Sequence, residues 1–88
     1  MFVEFDGRLI SDREELYDQL TRQLNLPAYF GRNLDALFDL LTEVSEPTEI
    51  HFEHTVEMEA SLGSYAMALR STLLDAQHEN KNLIINFY

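Results

Sequence analysis

Residues Tyr29 to Thr42 read YFGRNLDALFDLLT, and the spacing within them decides what the rest of the chain can be. Asn33 is a favoured helix N-cap, because its side-chain oxygen can accept one of the free amides of the first turn. Behind it, Leu34, Leu37 and Leu41 form a single apolar stripe, so the segment is an amphipathic helix that begins after Asn33 and ends near Glu43. On a helical wheel with Asp35 at zero, Asp39 falls at about 40° and Thr42 at about −20°, on one shared face. Phe38, at about −60°, borders that face and the apolar stripe, where it either plugs the core or lies in the surface as a contact.

Working upstream, Leu16, Leu20 and Leu24, with Tyr17 alongside, recur at helical spacing and predict a helix from Asp12 to Leu24. Ser11 and Glu14 have the form of a reciprocal capping box at its start, and Pro27 keeps Leu26 out of it. Phe2 to Phe5 alternates apolar and polar residues and ends at Asp6-Gly7, the pattern of a short strand closed by a turn. Downstream of Pro47, Glu49 to Glu53 alternates again, with Ile50 and Phe52 on one side. His54 to Gly63 has no decisive period. Ser64 is a good cap for a long helix carrying Tyr65, Ala66, Leu69, Leu73 and Ala76, which runs to about Glu79. After Asn80-Lys81-Asn82 comes Leu83-Ile84-Ile85 with Phe87, an apolar run that reads as a strand buried on both faces.

The order is therefore β-α-α-β-α-β. Helical crossovers between successive strands return the chain in the same direction, so the expectation is an α/β fold: a three-stranded parallel sheet packed with helices, formed by residues 1–88 as a single domain.

Composition narrows the function classes. Sixteen acidic against six basic residues give a net charge of −10, which argues against nucleic acid as a ligand, since phosphates are held by Lys and Arg; it suits a basic protein partner, and equally a charge that merely keeps the chain soluble and monomeric. With no cysteine there is no disulfide framework and no thiolate metal site, and a reducing compartment is the natural setting. No run approaches the roughly 20 apolar residues of a membrane span, and the start, MFVEFDGR, is unlike a signal peptide. The expectation is a cytoplasmic protein, monomeric in its free state.

None of the constellations that catalysis needs is convincing, although a chain with sixteen acids leaves a glycosidase-like carboxylate pair conceivable. Gly7, Gly31 and Gly63 are too far apart for a phosphate-binding loop. His51 and His54 flank Glu53, yet on a strand residues 51 and 54 point to opposite faces, so they are expected to be ordinary polar residues at a strand end rather than metal ligands. No cofactor is implied, and the chain is not expected to be an enzyme. What remains is the pair Asp35 and Asp39. Carboxylates at i and i+4 repel by roughly 0.2–0.5 kcal/mol on an exposed helix, and only Asp35 is near enough to the N-terminus for the helix dipole to offset this. Asp75 and Glu79 repeat the arrangement at the end of the last helix, and two such patches could bracket one basic cleft.

The run Leu26-Pro27-Ala28-Tyr29-Phe30-Gly31-Arg32-Asn33-Leu34-Asp35-Ala36-Leu37-Phe38-Asp39, continued by Leu41-Thr42, resembles the defining segment of the barstar family, intracellular protein inhibitors of microbial ribonucleases. The resemblance extends more weakly to Gly7, the Leu16, Leu20 and Leu24 spacing, and the closing apolar strand. It implies an acidic helix that plugs the active site of a small basic microbial ribonuclease and mimics substrate phosphate. The contacts it implies are Tyr29, Asp35, Asp39 and Thr42, with Asp75 and more loosely Glu79 from the later helix; Asn33 and Phe38 complete the candidate partner-binding set. Arg32, a cation at the rim, would oppose a basic partner. The alternative is an interaction module of the same fold that binds a different basic protein or toxin.

Overall fold

The computed structural model describes residues 1–88. Three strands, β1 (Phe2–Asp6), β2 (Thr48–Glu53) and β3 (Leu83–Phe87), form one sheet in the order β1-β2-β3, with both pairings parallel. Between β1 and β2 lie a 3-10 turn (Gly7–Leu9), α1 (Arg13–Gln23) and α2 (Leu34–Thr42); between β2 and β3 lie α3 (Thr55–Leu62) and α4 (Ser64–Glu79). The expected α/β architecture is present, with α3 added in the stretch whose sequence carried no period.

Sequential strand order with crossovers of one hand sends every helix to the same side of the sheet. On that side the side chains form rows across the strands, Val3-Ile50-Ile85 and Phe5-Phe52-Phe87, and the three phenyl rings stack at centroid spacings of 4.9 and 5.6 Å. Leu16 and Leu20 from α1, Leu37 and Leu41 from α2, and Leu69 and Leu73 from α4 close over these rows and are fully buried. Each such leucine contributes about 1.5–3 kcal/mol through removal from water. The opposite face has no such cover. Ile84, expected to be buried on both sides, is 52% exposed there, because a strand in this topology has only one inner face.

Local signals shifted by a residue at two helix starts. Asp12, not Ser11, caps α1: its carboxylate accepts the Glu15 amide at 2.8 Å, and Ser11 lies outside the helix. Ser64 is the first residue of α4 instead of its cap, which is Gly63 with a left-handed φ of 61°. The C-terminus of α1 ends in a left-handed Asn25 (φ 53°), after which the Leu26 amide donates back to the Thr21 carbonyl at 3.0 Å. That closure satisfies the last turn and directs the chain toward Tyr29.

Candidate functional site: the acidic face of the second helix

Asn33 begins α2 as its sequence predicts. Its Oδ1 accepts the Ala36 amide at 2.8 Å, and its Nδ2 donates to the Gly31 carbonyl at 3.1 Å, so both ends of the side chain are engaged by the chain's own backbone. The turn before it depends on Arg32, which takes the left-handed conformation (φ 53°) that a reader of the sequence would assign to its neighbour Gly31. Leu37 and Leu41 fix the inner side of the helix to the core, and Phe38 packs against that core while staying half-buried at the border.

Asp35 and Asp39 stand exposed on the outer face. Neither carboxylate has an ion-pair partner: the arginine pairs of the chain are Arg8–Asp6, Arg32–Asp18 and Arg70–Glu59, all elsewhere. Thr42, half-buried, donates its hydroxyl to the Asp39 carbonyl at 2.9 Å, which leaves the oxygen lone pairs free to accept. Tyr29 is 79% exposed and shares a hollow of about 270 Å³ with Asp39. The walls of that hollow also include Glu43, one turn beyond Asp39 and likewise exposed. The acidic stripe therefore has three members. Its signal was present in the sequence as a further i+4 step, at a residue that reads first as a helix end.

Asp75 and Glu79 are exposed on α4, which packs beside α2. The two helices are joined at their C-terminal ends, where the buried Asn80 donates from Nδ2 to the carbonyls of Leu41 and Val44, each at 2.9 Å. Glu79 thus lies next to a residue that touches the last turn of α2. The bond, with the packing of α4 along α2, makes these two acid-bearing helices neighbours.

Arg32 does not project over the acidic face as a free cation. Its guanidinium donates to Asp18 at 2.9 Å and to the Glu14 carbonyl at 3.1 Å, both on α1, and lies 6.0 Å from the centre of the Tyr17 ring. Tyr17 itself is buried and hydrogen-bonded to the Tyr65 hydroxyl, and burial, followed by that bond, pushes its hydroxyl well above the ordinary tyrosine pKa. The cation is drawn back onto α1 by tertiary contacts.

No group of three or more His, Cys, Asp or Glu side chains is placed to hold a metal ion, and no helix is long and apolar enough to cross a membrane. His51 sits on the bare face of the sheet and His54 beyond the end of β2 in a left-handed conformation, bonded to Glu57.

A family model described as "Barstar (barnase inhibitor)" matches residues 1–88, the whole chain. The chain belongs to the barstar family. Among curated proteins, the Bacillus subtilis (strain 168) protein named "Putative ribonuclease inhibitor YrdF" is 40% identical over 81 residues, which cover 91% of this chain and 89% of that protein.

Proposed function

We propose that this barstar-family protein is a stoichiometric inhibitor of a small basic microbial ribonuclease, and that the acidic face of α2 enters the active site of the enzyme. One observation carries the reading: Asp35 and Asp39 are held exposed and without a cationic partner on a helix anchored to the core, in a chain that pairs three of its arginines with other acids. A ribonuclease cleft is a phosphate site lined by cations. A positioned carboxylate can occupy the phosphate position and accept short charge-assisted hydrogen bonds there.

In this reading Asp39, in the middle of the stripe, takes the phosphate position and Asp35 a neighbouring cation. Tyr29 and Phe38 supply apolar and aromatic area on either side, and Thr42 offers an acceptor. Asn33 contributes through the cap that sets the direction of α2, while Asp75 and Glu79 form the second acidic group from α4. The net charge of −10 would speed encounter with a basic enzyme, and that advantage fades as salt screens it. A chain without cysteine fits a reducing compartment, so the proposed location is the cytoplasm, and the free protein is proposed to be a monomer.

The test is titration of a panel of small basic microbial ribonucleases with the protein, alongside Asp39→Ala. Activity of at least one enzyme should fall in proportion to added inhibitor and reach zero at equimolar ratio, and the variant should be much weaker. Absence of inhibition across the panel, or equal inhibition by the variant, overturns the proposal. Capture of a basic protein that is not a nuclease on this same face would favour the alternative interaction module.

A further inference from the structure

We propose that the bare face of the sheet is a second docking surface, whose occupant is an amphipathic helix bearing Lys or Arg from a partner protein. All-parallel sheets are ordinarily covered on both faces, because crossover helices are distributed to both sides. Here all four helices lie on one side, and the other presents two rows of side chains across the strands: Phe2-Glu49-Ile84 and Glu4-His51-Asn86. Phe2 is 57% exposed and Ile84 52%, which is far from the usual fate of such residues in a parallel sheet.

The surface is built rather than merely left over. The His51 ring lies at its centre, edge-on to Phe2 at 4.7 Å and tilted against Tyr88 at 5.3 Å, and is hydrogen-bonded to the Glu49 carboxylate. Aromatic rings already fixed by one another offer contact area at little further loss of freedom. The chemistry of the occupant follows from the charges between the apolar groups. Glu4 and Glu53 carry no ion pair, and Glu49 has only the histidine as partner, whereas Asp6 is neutralised by Arg8 at 2.8 Å. An apolar stripe flanked by lysines or arginines would meet both the rings and the acids. A second copy of this chain would instead set the same carboxylates against one another. The helix geometry follows from the sheet, whose faces in parallel folds are packed by helices.

This surface is opposite the helical layer, so its failure and that of the inhibitor proposal are separable. The probe is a synthetic amphipathic helix of Leu and Lys, titrated into the intact isotope-labelled protein and followed residue by residue by NMR. Amides of Phe2, Glu4, His51 and Ile84 should shift, and should still shift in the Asp35→Ala, Asp39→Ala double variant. Ile84→Glu provides the decisive comparison because it adds charge while removing apolar contact. Docking predicts about ten-fold weaker binding; non-specific attraction to an acidic protein predicts stronger binding. If Ile84→Glu perturbs the fold, as seen in the far-UV spectrum, Ile84→Asn gives the same loss of contact without the charge. Shifts confined to α2 and α4, stronger binding by Ile84→Glu, or concentration-dependent self-association through this face without peptide would each overturn the proposal.

Discussion

The side-chain amide of Asn80 donates to the carbonyl oxygen of Leu41 at 2.9 Å, and so ties the end of α4 to the last turn of α2. A helix leaves its final carbonyls without i+4 partners; the Leu41 carbonyl accepts the Val44 amide at 3.3 Å, and a residue 39 positions away supplies a second, shorter bond from a buried site. The same amide reaches Val44, whose carbonyl also accepts from Asn82 at 3.1 Å, while the Asn80 oxygen accepts the Asn82 amide at 3.0 Å. Asn80→Ala should therefore cost about 1–3 kcal/mol, because several hydrogen bonds worth about 0.5–1.5 kcal/mol each are lost together. Urea unfolding checks this: the midpoint should fall with the slope unchanged, and thermal unfolding should drop by roughly 4–8 °C for each kcal/mol in a domain of this size. A midpoint equal to that of the unaltered protein would show that the latch contributes nothing.

Gly7 is the position where a single methyl should do most harm. It begins the 3-10 turn after β1, and a Cβ built on it would stand 2.3 Å from the His54 carbonyl oxygen and 2.8 Å from that of Glu53. Both neighbours are backbone at the end of β2, so neither can swing aside. Gly7→Ala should destabilise by at least the roughly 1–3 kcal/mol typical of overpacking, and denaturant midpoints of the purified variant would measure it. Gly63→Ala makes the comparison, since nothing lies within 4 Å of its Cβ and only the left-handed φ of 61° opposes it. Equal losses at the two sites would count against a steric origin at Gly7.

The parts of this fold that were legible in the sequence are those decided by local rules. The α2 helix combines a capping side chain, a continuous leucine stripe and sufficient length, and all three agree with its place against the core. What the sequence hid depended on partners far along the chain. Ile84 sits in an apolar run that suits a doubly buried strand, yet crossover handedness, a property of the whole topology, exposes it. The α3 helix buries only Thr55 and Met58 and starts from a left-handed His54 with no capping side chain, so neither period nor cap announces it. Arg32 looked like a cation beside the acidic stripe, and only its bond to Asp18 on α1 shows where the charge goes. For the site, residue types on one face of α2 could be read, whereas the junction with α4 through Asn80 could not.

Alkaline pH should weaken the protein through Tyr17. Its hydroxyl is buried beside that of Tyr65, and its pKa is raised chiefly by burial and then by their hydrogen bond. In the unfolded chain the group ionises near the ordinary tyrosine value of about 10, while in the folded protein it keeps its proton to higher pH. Between those two pKa values the folded state binds more protons, so the free energy of unfolding falls as pH rises above about 10. Tyr17→Phe should remove this part of the slope. Denaturation midpoints across that range test the sign, and ultraviolet titration should show one tyrosine that ionises only as the protein unfolds.

Asp39→Ala should separate binding from folding. The carboxylate is exposed, has no ion-pair partner, and follows Asp35 by one turn on the same face. Removing it eliminates an i, i+4 repulsion, so stability should stay level or rise by roughly 0.2–0.5 kcal/mol. Affinity for a ribonuclease partner should move the other way, because hydrogen bonds to a charged group are worth about 1.5–3 kcal/mol, or roughly ten- to more than a hundred-fold in Kd. Thermal unfolding and an inhibition titration on one preparation give both signs. Surfaces that serve recognition at the expense of stability behave in this way. A loss of several kcal/mol in stability would instead mean that Asp39 holds the helix, and the acidic face would lose its claim to be a binding surface.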